Sequence, residues 1–102
     1  MMNSAIANHR SELEDLCRRY HVRRLELFGS AASGKLDLET RDLDFLATFE
    51  ELEPATYADA YLEFYEGLTA LFKRRIDLVS AAAITNPYFL EGIQRSRETL
   101  YT

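Results

Sequence analysis

The sequence predicts an α/β layer fold in one small domain, and three observations lead there. Three short runs, VRRLELF, DLDFLATF and RIDLV, alternate apolar and polar residues with the period of a half-buried strand. Longer segments around them, Ser4 to Tyr20, Pro54 to Phe72 and Asn86 to Tyr101, repeat their apolar residues at helical spacing. The 102 residues, 47% hydrophobic and 28% charged, are ordinary for one folded domain and leave no room for a second.

Taken in order, Ile6, Leu13, Leu16, Cys17 and Tyr20 form an imperfect helical stripe with one interrupted turn. The next run places Leu25 and Leu27 on one face and Glu26 and Phe28 on the other, and Gly29 stops this first strand. Ser30 to Lys35 suffice for one or two helical turns, and LDLETR reads as a loop. In the second strand, Leu43, Phe45, Ala47 and Phe49 share a face opposite Asp42, Asp44, Leu46 and Thr48. Tyr57, Tyr61, Phe64, Leu68 and Leu71 mark a long helix from Pro54 to Phe72, with Thr56 and Asp59 as candidate capping residues and Lys73 to Arg75 at its cation-favouring end. RIDLV sets Ile76 and Leu78 against Arg75, Asp77 and Val79. A last helix opens with Asn86 as cap and Pro87 in its first turn, and Phe89, Ile93 and Leu100 form its buried stripe. The predicted order is α-β-α-β-α-β-α.

Composition narrows the function. No run is long and apolar enough to span a membrane, the first residues lack the apolar core of a signal peptide, and the single cysteine fits a reducing compartment, so a cytoplasmic protein without membrane contact is expected. Residues 1–28 carry 5 Lys/Arg against 4 Asp/Glu, residues 29–53 carry 2 against 7, and residues 54–102 carry 5 against 6, so the middle segment alone accounts for the net charge of −5. Such a surface attracts cations rather than a nucleic-acid backbone, and no direct nucleic-acid binding is expected.

Gly29, Gly34 and Lys35 are spaced as G-x-x-x-x-G-K directly after a strand, as in an ATP-binding P-loop. Leu36 stands where that motif needs Ser or Thr for its metal, and only Leu36 to Arg41 precede the next strand, whereas a parallel crossover takes about a dozen residues or more. Any phosphate handling here uses another arrangement. Asp42 and Asp44, two apart on a strand, point to one side; at roughly 6 Å and an effective dielectric of about 20 they repel by on the order of 3 kcal/mol. They either face water, are neutralised by Arg41, or hold a hard divalent cation. Asp77 lies on the polar face of the third strand and joins them if that strand neighbours the second. The turn at Gly29 and Ser30 offers backbone N–H groups and a hydroxyl to phosphate oxygens.

In this combination the chain resembles the minimal nucleotidyltransferases of the DNA polymerase β superfamily over nearly its whole length. The residues that carry the resemblance are LFGS (Gly29, Ser30), DLDF (Asp42, Asp44) and RIDLVS (Asp77), with NPYFLEGI and the closing LY similar to that family's last helix. The resemblance implies a nucleotidyltransferase fold, a small mixed sheet flanked by helices. It further implies two Mg²⁺ ions bridged by Asp42 and Asp44, with Asp77 completing the catalytic shell and helping to deprotonate the attacking hydroxyl. Gly29 and Ser30 hold the β and γ phosphates of ATP, and pyrophosphate leaves. Small members resemble antitoxins of HEPN-type toxins, some of which transfer AMP to a toxin tyrosine, so a HEPN-type partner is implied. Two positions depart from the family pattern. Ser33 replaces a common arginine on the phosphate side, where Lys35 or Arg41 is the substitute, and Arg41 replaces a common serine. These departures keep a second reading open, a protein of this fold that neutralises its partner by binding alone.

His9 and His21 lie far from any ligand cluster and read as surface or capping residues, and Cys17 reads as core. The aromatic series Tyr57, Tyr61, Phe64, Tyr65 and Phe72 reads mostly as core by spacing, and its exposed remainder, with Tyr88, is a candidate partner surface.

Overall fold

The computed structural model describes residues 4–28, 43–83 and 97–102. The expected first helix is two, α1 (Ser4–Asn8) and α2 (Arg10–Arg19), broken at His9, where φ −120° and ψ 20° leave the helical range. That break is the interrupted turn of the apolar stripe. Next come β1 (Val22–Phe28), β2 (Leu43–Phe49), α3 (Pro54–Phe72), β3 (Ile76–Ser80), one 3₁₀ turn (Ala81–Ala83) and β4 (Glu98–Tyr101).

The sheet runs in the order β3-β2-β1-β4. β1 is antiparallel to β2 and to β4, whereas β2 and β3 are parallel and joined through α3. Alternation fixes one face for the core. Leu25 and Leu27 meet Ala47 and Phe45, which continue to Ser80 and Leu78, and all six are buried. Ile6, Leu13 and Cys17 from α1 and α2, and Ala60, Phe64, Leu68 and Phe72 from α3, cover that face. Removing each large apolar side chain from water contributes roughly 1.5–3 kcal/mol, which is what holds α1, α2 and α3 on one face of the four-stranded sheet.

Three details refine the sequence reading. The last helix was expected to reach Tyr101, yet Glu98–Tyr101 form β4 on the edge of β1. Thr99 and Tyr101 favour a pleated surface, pairing satisfies an otherwise open edge, and Leu100 suits a buried position in either element, so the period alone is ambiguous. Residues 84–96, the rest of that helix, lie outside the described residues, as does the expected short helix Ser30–Lys35. The cap of α3 is Glu53 in extended geometry with Pro54 following; Thr56 and Asp59 are already inside the helix. α3 ends as expected at the cationic stretch, where Lys73 adopts a left-handed conformation (φ 54°) and its N–H donates to the Thr69 carbonyl at 2.9 Å. No helix among the described residues is long and apolar enough to cross a membrane.

Candidate functional site

The same alternation that buries one sheet face gathers polar residues on the other. In β2, Leu43 and Phe45 enter the core, so Asp44 between them must face outward. In β3, Ile76 and Leu78 do the same to Asp77. Because β2 and β3 are parallel and in register, Asp44 lies directly opposite Asp77, and Phe28 lies opposite Asp44 on the other side. Of the three carboxylates expected to converge, Asp44 and Asp77 are therefore neighbours across the strand pair. Asp44 is half-buried and Asp77 exposed.

Neighbouring strands lie about 4.8 Å apart, so two carboxylates in register repel unless a cation sits between them. Hard oxygen donors at that spacing suit a divalent cation of the magnesium class, and on this donor chemistry the residues fit the expected metal. Among the described residues no third Asp, Glu, His or Cys completes a metal-binding group. Asp42, Gly29, Ser30, Ser33 and Lys35 lie outside the described residues.

One step along the same face sits a residue that sequence reasoning placed opposite Leu25 and Leu27 and did not single out. Glu26, opposite Leu46 and Thr99, is only 3% exposed. Arg24 Nε lies 3.4 Å from its Oε1 and Arg97 Nε 3.1 Å from its Oε2, while an Arg24 amino group donates to the Thr99 hydroxyl at 3.4 Å. A carboxylate between Leu25 and Leu27 in a central strand was the available signal.

Behind the acidic pair, α3 is tied to β3 by its tyrosines. The Tyr61 hydroxyl donates to the carbonyl of Leu78, the residue after Asp77, at 2.5 Å, and the Tyr57 hydroxyl donates to Ser80 Oγ. Burial raises the Tyr61 phenol above its ordinary pKa, with the neighbouring Tyr57, Tyr65 and Asp77 acting in the same direction. These bonds fix the strand whose outward residue is Asp77.

The two histidines and the cysteine are structural. His9 contacts Glu12 at 3.2 Å and packs edge-on against Phe72, and His21 contacts Glu50 at 3.3 Å. Cys17 is fully buried, and burial with Glu14 nearby pushes its thiol up to about 12. A cavity of about 440 Å³ bounded by Leu16, Gly67, Ala70 and Leu71 lies between α2 and α3, on the helical side of the sheet and away from Asp44 and Asp77.

Residues 10–100 match the family model described as a nucleotidyltransferase domain. A protein of Methanocaldococcus jannaschii, provisionally named a protein adenylyltransferase, is 32% identical over 89 residues, which cover 87% of this chain and 84% of that protein. A solved structure provisionally described as a minimal nucleotidyltransferase superposes with a TM-score of 0.77 at 28% identity, covering 96% of this chain and 95% of the other. The fold also recurs in the complex of a tri-AMPylated Shewanella oneidensis HEPN toxin with its MNT antitoxin, with a TM-score of 0.64 at 16% identity over 93% of this chain and 71% of that one.

Proposed function

The chain belongs to the nucleotidyltransferase domain family, and we propose that it transfers AMP from ATP to a hydroxyl of a partner protein, as the antitoxin of a HEPN-type toxin. The observation that carries this reading is the register that sets Asp44 opposite Asp77 on the outward sheet face. The name of the Methanocaldococcus jannaschii relative and the AMPylated toxin of the Shewanella oneidensis complex support the choice of AMP and of a protein acceptor.

In this reading Asp44 and Asp77, together with Asp42, hold magnesium. Magnesium held there would supply neutralisation of the phosphate charge and of the charge that develops during displacement. Gly29 and Ser30, which follow Phe28 in sequence, would hold the β and γ phosphates, with Ser33 and Lys35 as further candidates for the phosphate side. The acceptor oxygen forms a bond to the α-phosphorus as the bond from that phosphorus to the β-bridging oxygen breaks. Pyrophosphate leaves, and the hydroxyl proton passes to Asp77. Catalysis of this kind rests on positioning and charge, so loss of one carboxylate is severe.

The test is transfer of label from ATP labelled at the α-phosphate into protein, in a lysate of the source cell with Mg²⁺. Wild type is compared with Asp44→Asn and Asp77→Asn, and ATP labelled at the γ-phosphate is the control. A labelled band that needs both carboxylates and the α-label supports the proposal. No band from wild type, while wild type and both variants neutralise the same toxin equally, establishes neutralisation by binding alone.

A further inference from the structure

We propose that Arg97 is a phosphate-binding residue of the nucleotide site, held there by the buried carboxylate of Glu26. The inference rests on the reading that the face carrying Asp44 and Asp77 takes a nucleoside triphosphate.

Placement comes first. Thr99 lies opposite Glu26 and Glu98 opposite Leu27, so the next step of that antiparallel register sets Arg97 beside Phe28. Its side chain reaches the outward face, since its Nε lies 3.1 Å from Glu26 Oε2. One line across the sheet therefore reads Asp77, Asp44, Phe28, Arg97. With strands about 4.8 Å apart, the Arg97 backbone is about 10 Å from that of Asp44. A triphosphate reaching across this face would meet carboxylates that gather its cations at one end and a guanidinium that attracts its oxygens at the other. Phe28 is also the residue before Gly29, where the proposed phosphate turn begins.

The charge balance around Glu26 points the same way. A carboxylate 3% exposed in a central strand is costly unless neutralised, and one guanidinium suffices for that. Here two serve it, Arg24 and Arg97, so the trio carries 2 − 1 = +1. Glu26 Oε2 receives no hydrogen bond of good geometry, although Arg97 Nε is close by. The Arg97 side chain remains 35% exposed on the face of the acidic pair. An exposed guanidinium whose Nε side is held by a buried carboxylate is suited to a phosphate group. In this arrangement Glu26 is a positioning residue that acts through Arg97.

A pair that only pinned β4 to β1 would affect stability and leave nucleotide affinity alone, and calorimetric titration separates the two. The probes are the non-hydrolysable analogue AMP-PNP with Mg²⁺, and adenosine, which lacks phosphate. Arg97→Met should weaken AMP-PNP binding roughly ten- to a hundredfold, the scale of a hydrogen bond to a charged group, and leave adenosine affinity unchanged. Arg97→Lys, which keeps the charge and the pairing with Glu26 but loses the fork, should fall between that variant and wild type. Glu26→Gln should weaken AMP-PNP in the same sense and by less. An Arg97→Met protein that melts lower yet binds AMP-PNP as wild type does would overturn the inference, as would equal losses for both probes. Loss of AMP-PNP binding in Asp77→Asn but not in Arg97→Met would overturn the role of Arg97 and leave the proposed function standing. A wild type that binds no AMP-PNP would overturn both.

Discussion

Replacing Asp77 with asparagine should make the metal-free protein more stable while removing its response to magnesium. Asp77 lies in register opposite Asp44 across a parallel pair, so the two carboxylates stand roughly 5 Å apart. At that distance like charges repel by about 3 kcal/mol with an effective dielectric of 20, and by about 0.8 kcal/mol in bulk water. Asp77 is exposed and Asp44 half-buried, so solvent screening places the repulsion toward the lower figure, about 1 kcal/mol. Asparagine keeps the shape and removes the charge. For a domain of this size 1 kcal/mol shifts the melting temperature by roughly 4–8 °C. The assay is thermal unfolding at pH 7 and low salt, with chelator and again with Mg²⁺. With chelator the variant should melt several degrees above wild type, and the gap should narrow near 1 M salt, where the screening length falls to about 3 Å. With Mg²⁺ the wild type should gain stability, because a ligand that binds only the folded state raises its melting temperature, and the variant should not. A variant that melts below wild type in chelator, or that gains as much from Mg²⁺, would refute the claim that this register creates a cation site.

Two further outcomes follow from the core. Phe64 is fully buried and meets the Phe49 ring edge-on at 6.1 Å, so Phe64→Ala should lower stability by about 3–5 kcal/mol and shift the urea midpoint accordingly. Cys17 has its thiol raised from 9.0 to about 12 by burial, so the fold favours the neutral form; the stability this confers is full below pH 9 and is lost as pH rises toward 12. Between pH 7 and pH 10 the loss is about 1.4 kcal/mol, and denaturant titrations of Cys17→Ala should lack that slope.

Much of this architecture is legible in the chain because period and burial coincide. The alternation of LDFLATF assigns Asp44 to the face away from the core without any knowledge of partners, and RIDLV does the same for Asp77. What single strands do not encode is who lies beside whom. That Asp44 faces Asp77 rather than Val79 follows from how far α3 carries the chain before β3 begins. β4 was read as the end of a helix because Ile93 and Leu100 satisfy a helical period, and only the vacant edge of β1 decides for a strand. The alternation of VRRLELF places Glu26 only on the face opposite Leu25 and Leu27 and says nothing of its burial. Its burial depends on Arg97, which is remote in sequence and reaches it only once β4 pairs with β1.

The acidic pair is unfavourable by itself, yet the fold cannot relieve it by sliding. A slip of one residue between β2 and β3 would turn either strand over, sending Asp44 or Asp77 into the layer formed by Phe45, Phe64, Leu68 and Leu78. Burying one unpaired carboxylate there costs several kcal/mol, against about 1 kcal/mol for repulsion at a solvated surface. The apolar residues at Leu43, Phe45, Ile76 and Leu78 therefore do more than stabilise the domain. They hold two like charges together at a fixed spacing, and the hydroxyls of Tyr57 and Tyr61 bind Ser80 and Leu78 so that β3 stays in line. Two like charges held together by a close-packed core are a condition under which a cation gains affinity for this face, since its binding lowers their repulsion.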